Sequence, residues 1–279
     1  MIVNRKQEIF LGLAIFVIFY WIVLFANNHT SGLYNNLFEV FFSAVPLSAG
    51  IVALANLFRW KKGETVRQGI FFGGLGLLCW GIAGVFWSYY NFHDAIAAPY
   101  PSLADLFYLP SMILFSIAAV YFSQASGSDL KFKNTRSKFF ITIFISVISY
   151  YLLLTIVRDG KLFDSGDSFV KNFLDIAYPC IDFVGLILVI FISGLSFKYI
   201  VHKYKIALIS IIFGLVLMFI SDSLFSYLMV KGTYYSADIC DLSFLLATTA
   251  FTFGLLGFCA ENVKQAEHNI HIFEFLKYR

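Results

Sequence analysis

Acidic side chains inside apolar stretches are the residues of this chain most suited to chemistry. Seven carboxylates lie in or at the ends of hydrophobic runs: Glu39, Asp105, Asp175, Asp182, Asp222, Asp238 and Asp241. An ionisable group is costly in hydrocarbon, so each is a functional candidate. All seven fall in those halves of their runs that are expected to face outward, which predicts a polar pocket open to the outside.

A structural role competes with binding for four of these acids. Four spacings resemble a capping box, with a side-chain acceptor before the helix and a carboxylate three residues later: Asn36-x-x-Glu39, Ser102-x-x-Asp105, Asn172-x-x-Asp175 and Asp238-x-x-Asp241. Such acids satisfy free backbone N–H groups at the positive end of the helix dipole. The spacing alone leaves capping and ligand binding open for this set.

Asp182 and Asp222 are too deep in their runs for capping to explain them. Asp182 follows Asp175 by seven residues, so the two lie on nearly the same helical face. A buried carboxyl must be protonated, paired or hydrated, and this leaves a bond between helices or a ligand site. We expect a ligand site with Asp182 and Asp222 at its core and five more residues around them: Asp175, Asp105, Asp241, Tyr178 and Tyr227.

Composition predicts the elements that must position these acids. Hydrophobic residues make up 59% of the 279, charged residues only 13%, and the mean hydropathy is +0.79. The apolar runs reach the roughly 18 residues that cross a bilayer. The chain is therefore expected to be an all-α integral membrane protein with eight transmembrane helices, at about 9–26, 37–58, 70–92, 103–123, 139–157, 173–197, 206–229 and 239–260.

The distribution of lysine and arginine predicts the orientation of the chain in the cell membrane. Of the 20 such residues, only Arg158, Lys161, Lys171 and Lys231 fall on the side opposite to both termini. Because cytoplasmic connections carry the excess of Lys and Arg, both termini are expected to be cytoplasmic.

An internal repeat is indicated by matched segments 136 positions apart. ADLFYL at 104–109 aligns with CDLSFL at 240–245, and NLFE at 36–39 aligns with NFLD at 172–175. A four-span unit returns the chain to its starting side, so both halves have the same orientation, as in parallel-repeat membrane folds. The predicted organisation is one repeat over 1–129, a second over 130–262, and a short cytoplasmic tail over 263–279.

Several site classes find no support in the sequence. Cys79, Cys180, Cys240 and Cys259 lie in or next to apolar runs without metal-ligand spacing, and no common catalytic or phosphate-binding motif is present. The cytoplasmic lysines follow from topology and do not indicate nucleic-acid binding. We therefore expect no cofactor, no metal and no enzymatic activity.

Two short elements carry a family resemblance. PYPSLADLFYLP at 99–110 resembles the YPSxADxxYL element of multi-pass membrane domains that precede GGDEF, EAL, PAS or histidine-kinase modules in prokaryotic signalling proteins. AYPCID at 177–182 is similar to the YPxxD element of the same domains. The resemblance implies a sensory input domain. About twenty residues follow the eighth predicted span, so either a signal passes to a separate partner in the membrane or cytoplasm, or the chain is a fragment of a longer protein.

The leading hypothesis is a membrane sensor that binds a small ligand or cation in an outward-facing acidic pocket between the two repeats. A transporter of a small solute or ion, built on the same repeat interface, is the alternative. The nearly apolar inner halves of the spans favour a one-sided pocket over a transport route. An intramembrane enzyme is disfavoured because no nucleophile–base pair can be assembled.

Overall fold

The computed structural model describes residues 3–93, 100–125, 168–194 and 202–258, together with seven isolated positions between 140 and 166. Every regular element in these ranges is helical. The α-helices are α1 (Arg5–Ala26), α2 (Leu33–Ala55), α3 (Thr65–His93), α4 (Asp105–Ala125), α5 (Phe169–Gly194), α6 (His202–Lys231) and α7 (Ile239–Gly257). A short 3-10 turn, Asn56–Arg59, continues α2.

Six of these helices are long and apolar enough to cross a membrane: α1 to α4, α6 and α7. This confirms the all-α class and indicates a multi-pass protein in a lipid bilayer. Helix α5 lies where the sixth span was predicted. Most of the predicted fifth span at 139–157, the tail at 263–279 and Cys259 lie outside the described residues. The eight-span arrangement and the cytoplasmic termini stay predictions.

Four helices begin about one turn earlier than hydropathy predicts. Helices α2, α3, α5 and α6 start at residues 33, 65, 169 and 202, four or five positions before the expected span starts. Hydropathy marks where a helix becomes apolar, whereas the hydrogen-bonded helix extends into the polar residues before that point. The shift matters because it moves some of the acids away from the helix termini.

Helices α2 and α3 pack closely through glycine. A Cβ on Gly81 would lie 2.5 Å from Cα of Leu47 and 2.6 Å from its backbone nitrogen. A Cβ on Gly84 would clash with the hydroxyl of Ser43. Small residues allow backbones to approach in this way, which is the usual basis of close helix packing in membranes.

Helices α4 and α7 meet at the centre of the described bundle through paired aromatic rings. The ring centroids of Phe115 and Phe251 lie 4.3 Å apart, and those of Phe122 and Phe258 lie 4.2 Å apart. All four side chains are almost fully buried. These contacts make a dry apolar core below the acids.

The two ends of the bundle differ in charge, and we call them the acidic end and the basic end. The acidic end carries the α1–α2, α3–α4 and α6–α7 connections, and the basic end is the opposite one. At the acidic end Asn35 Nδ2 donates to the Ser236 carbonyl at 2.7 Å, and Trp21 Nε1 donates to the Asp238 carbonyl at 2.9 Å. Asn91 Nδ2 donates to Ser236 Oγ at 3.1 Å. The first three helices therefore hold the α6–α7 connection in place.

Three cysteines fall within the described residues, and all are free thiols. Cys240 is fully buried, as expected for a small hydrophobic residue, and Cys79 is partly buried. Cys180 differs from that expectation because its side chain is exposed on α5.

Candidate functional site

A cavity of about 510 Å³ opens at the acidic end, between α2, α3, α4, α5, α6 and α7. Among the described residues, its acidic and basic lining consists of five carboxyl groups and one lysine: Glu39, Asp105, Asp175, Asp222, Asp241 and Lys171. The volume lies in the range of sites for small molecules. Of the predicted acidic site residues, four line this cavity.

Aromatic rings form most of the cavity wall. They come from every helix around the cavity and from the connections: Phe42, Trp80, Trp87, Tyr100, Tyr108, Tyr178, Phe225, Tyr234 and Phe244. Trp80 contacts Tyr108 with ring centroids 4.7 Å apart and Phe244 at 5.3 Å. These ring-to-ring contacts hold the wall in a defined shape.

Asp105 and Asp241 take the capping geometry that the sequence predicts. Oδ2 of Asp105 accepts from the backbone N–H of Ser102 at 2.7 Å, and Oδ2 of Asp241 accepts from that of Ala237 at 2.7 Å. Asp238 accepts from the N–H of Cys240 at 2.6 Å. These three acids fix helix starts, and the side chains of Asp105 and Asp241 also line the cavity.

Glu39 and Asp175 do not cap their helices. Both lie six residues after their helix starts, at Leu33 and Phe169. At α5 the capping acceptor is Ser168, whose Oγ accepts from the N–H of Lys171 at 3.2 Å. The capping interpretation is therefore wrong for these two acids, because the helices extend further than the apolar pattern indicates.

Glu39 is the most buried of the cavity carboxyls, with 2% of its surface exposed. Its carboxyl group lies beside the carboxyl of Asp241 and close to polar groups of Ala237 and Ser236. Its second oxygen, Oε1, has no hydrogen-bond partner among the described residues. An unpartnered buried acceptor is rare enough to require an explanation, such as an absent ligand.

Asp182 and Asp222 come together, as the sequence predicts, but only one of them reaches the cavity. Their carboxyl groups lie close enough for a hydrogen bond, which forms when one of the two carries a proton. Asp222 lines the cavity, and its Oδ2 has no partner within the described part of the chain. Asp182 is 8% exposed and lies behind Asp222, outside the lining.

Two tyrosines connect the α3–α4 connection and α4 to α5 across the cavity. The hydroxyl of Tyr178 donates to Oδ1 of Asp105 at 2.8 Å, and that of Tyr100 donates to Oδ1 of Asp175 at 2.9 Å. Tyr178 was a predicted site residue and lines the cavity. Tyr100 is not among the predicted site residues, because it lies in a connection between helices and is not itself an acidic residue.

Tyr227 lies apart from the other predicted site residues. Its side chain is 38% exposed, and the Nζ of Lys231 lies 5.9 Å from its ring centroid. Tyr227 is not part of the cavity lining. Its neighbour Ser226 lines the cavity instead, because adjacent residues on a helix point about 100° apart.

The indole of Trp80 is a further site group that sequence reasoning missed. It lines the cavity, is 4% exposed, and its Nε1–H has no acceptor among the described residues. A tryptophan in an apolar run gives no sequence signal for this role. Lys171 is a further lining residue, and it lies one turn before Asp175 on α5. The sequence uses it only to predict which side of the membrane it faces.

The α6–α7 connection places further polar groups beside the cavity. Burial raises the pKa of the Tyr234 phenol, and the carboxyls of Asp241 and Glu39 raise it further, so this group stays a neutral donor. Its hydroxyl lies 3.2 Å from Oδ1 of Asp241. Burial also raises the pKa of the Asp238 carboxyl, opposed by hydrogen bonds from backbone N–H groups, the first from Cys240.

A metal site at the start of α7 has only partial support. Ligand atoms of Asp238, Cys240 and Asp241 lie within 4.8 Å of one another. Oδ1 of Asp238 and Oδ2 of Asp241 already accept backbone N–H groups. Helix capping accounts for this cluster without an ion.

Comparison with protein-family models, with curated proteins and with solved structures finds no match for the chain. The function is therefore inferred from the cavity and from its polar atoms that have no partner among the described residues.

Proposed function

We propose that the protein is a multi-pass membrane sensor or receptor-like module that binds a small ligand or cation in the acidic cavity. One observation carries this proposal. Glu39 Oε1, Asp222 Oδ2 and Trp80 Nε1 are buried polar atoms without a hydrogen-bond partner among the described residues, and all three side chains line one cavity of about 510 Å³. Leaving such groups unpaired costs about 1–3 kcal/mol each, so a ligand that pairs with them would be bound by that free energy.

The proposed architecture is an eight-span bundle of two parallel four-helix repeats, with both termini cytoplasmic and the acidic end outside. Phe115 and Phe251 are 136 positions apart, as are Phe122 and Phe258, and each residue contacts its own mate. Contact between equivalent residues is what a two-fold axis between α4 and α7 requires. This agreement supports the repeat.

The cavity lining follows the same relation. Five lining pairs are separated by 136 or 138 positions: Glu39 and Asp175, Phe42 and Tyr178, Trp87 and Phe225, Asp105 and Asp241, Tyr108 and Phe244. The helix contacts α2–α7 and α4–α5 are also equivalent under this relation. A cavity between two repeats is a common location for a membrane binding site.

The resemblance to sensor domains gains support from where its two elements lie. Tyr100 and Asp105 of the first element, and Tyr178 of the second, form hydrogen bonds at the cavity. The residues that define the resemblance are therefore the ones that join α4 and its preceding connection to α5. We propose that ligand binding changes this junction and that a separate partner reads the change.

A transporter is the alternative because parallel repeats about a central axis also occur in transporters. The packing toward the basic end favours the sensor. Below the cavity the described core is filled by large apolar side chains, including Leu77, Phe115 and Phe251, all at most 1% exposed. A solute would need a route through this layer.

The test is a ligand screen by thermal unfolding of the full chain in lipid nanodiscs. The panel holds inorganic cations and small cationic, zwitterionic, neutral and anionic organic compounds. We expect at least one compound to raise the Tm of the wild type and of Glu8→Gln, an exposed acid at the basic end. Asp222→Asn should lose the shift.

Two outcomes would contradict the sensor proposal. A shift that survives Asp222→Asn for every compound places binding elsewhere. Uptake of the identified compound into proteoliposomes, abolished by Asp182→Asn or Asp222→Asn, would establish the transporter instead.

A further inference from the structure

The cavity has a more specific chemistry than acidity alone. Among the described lining residues there are five carboxyl groups, one lysine and nine aromatic rings. Rings present a negative face that attracts cations. Both parts of the wall therefore favour a positively charged guest, and the rings also offer apolar surface to its body.

The carboxylates are not equally available to such a guest. Asp105, Asp175 and Asp241 each accept from a tyrosine hydroxyl, as described above. Glu39 Oε1 and Asp222 Oδ2 accept from no group in the described chain. The missing partners are donors, because a carboxylate oxygen only accepts hydrogen bonds, and both acids line the same cavity as Tyr108.

A bare divalent cation suits this cavity poorly. Calcium and magnesium require about six or more oxygen ligands closely around one point. Both oxygens of Asp105 and of Asp241 already accept hydrogen bonds, and so does Oδ1 of Asp175. A primary ammonium group instead carries three N–H donors and needs only a few acceptors.

We propose that the ligand is a small organic ammonium ion whose charged group contacts Glu39 and Asp222 and whose apolar body lies against Trp87 and Tyr108. This inference rests on the proposed binding function and names its ligand class. The unpartnered Nε1–H of Trp80 then faces an oxygen of the same ligand or a bound water.

The experiment measures binding of four probes to the full chain in nanodiscs by calorimetry. The probes are 2-phenylethylamine, phenyltrimethylammonium, the neutral isostere 2-phenylethanol, and calcium chloride. We expect the two cations to bind. The alcohol should bind at least about 30-fold more weakly, because its hydroxyl carries no charge and forms no ion pair with a buried carboxylate. Calcium should not compete with the amine.

Variants locate the binding. Glu39→Gln should weaken 2-phenylethylamine about 100-fold, and Trp87→Leu should weaken phenyltrimethylammonium about tenfold through the lost ring face. Glu8→Gln and Phe58→Leu are matched controls, since both side chains are exposed at the basic end. If Glu39→Gln fails to fold, judged by gel filtration and circular dichroism, Trp87→Leu alone still tests the aromatic contact.

The inference is overturned if the alcohol binds as tightly as the amine, if calcium alone binds, or if both cavity variants keep wild-type affinity. It is also overturned if neither cation binds at millimolar concentration. The proposed binding function would still stand in that case if a zwitterion or anion in the ligand screen raises the Tm of the wild type but not that of Asp222→Asn.

Discussion

The α2–α3 contact and the α5–α6 contact occupy equivalent places under the proposed repeat, yet they are built differently. Helices α2 and α3 pack along their length through glycine, with Gly81 against Leu47 and Gly84 against Ser43. Helices α5 and α6 contact each other less, and their interface holds the Asp182–Asp222 pair beside the cavity.

The residues at equivalent positions explain the difference. Gly81 corresponds to Phe219 and Gly84 to Asp222, each 138 positions later. A side chain in place of glycine prevents close backbone approach, and the carboxyl of Asp222 needs a polar partner that α5 supplies with Asp182. One interface is thus closely packed through glycine, and the other holds polar side chains beside the cavity. The predictions below test this contrast.

The largest effect is expected from Gly81→Ala. The added Cβ meets the backbone of Leu47, so α2 and α3 must separate, at a cost of about 2–3 kcal/mol. The measurement is the free energy of unfolding in detergent micelles by denaturant titration. Gly12→Ala is the control, because nothing lies within 4 Å of a Cβ there. Equal free energies of unfolding for the two variants would show that α2 and α3 are not closely packed at Gly81.

The next effect concerns the opposite interface. A double-mutant cycle on Asp182→Ala and Asp222→Ala should give a coupling energy of about 1–2 kcal/mol, because the two carboxyls share a hydrogen bond. The cycle uses the same unfolding assay. Additive effects, within about 0.5 kcal/mol, would mean that α5 and α6 are not joined by this pair.

A smaller effect is expected from Tyr178→Phe, which makes α5 resemble α2, where Phe42 stands at the equivalent position. The variant loses the 2.8 Å bond to Asp105. Interhelical bonds of this kind contribute about 0.6 kcal/mol on average in membranes. Unfolding measurements should show that loss, and Phe42→Tyr should not restore it, since Phe42 lies on the other side of the proposed axis.

The smallest effect is expected from Tyr227→Phe. The side chain is 38% exposed and lies outside the cavity, so stability should change by less than about 0.5 kcal/mol. The Tm shift given by any ligand of Asp222 should also stay as in the wild type. Loss of that shift would mean that the cavity extends further along α6 than the geometry indicates.

Much of the fold could be predicted from the sequence. Apolar runs predict helices because only hydrogen-bonded helices bury a backbone in hydrocarbon, and seven of the eight predicted spans have a helix in the described residues. The closeness of Asp182 to Asp222 and the caps at Asp105 and Asp241 were also predictable, although the sequence did not indicate that the two acids are each other's partners. Each rests on a local spacing or on the cost of burying a charge.

The rest of the site could not be predicted because it depends on distances across the bundle. The sequence could not tell that Glu39 lies inside α2, since hydropathy does not mark polar helical turns at the start of a helix. Nor could it place the Tyr100 hydroxyl beside Asp175, 75 positions away in the chain. Tyr227 was predicted to belong to the site but lies outside the cavity. A residue close to an acid in sequence can face another direction on the helix.

The sequence alone determined that this chain is helical, that its helices are apolar, and which end of the bundle collects the acids. These properties follow from the free energy of transferring each side chain to hydrocarbon, which is local to a residue and its turn. Only the tertiary structure decided which carboxyls are satisfied by neighbours and which, at Glu39 and Asp222, keep an oxygen without a partner in the described part of the chain. That outcome depends on how six helices pack around one cavity.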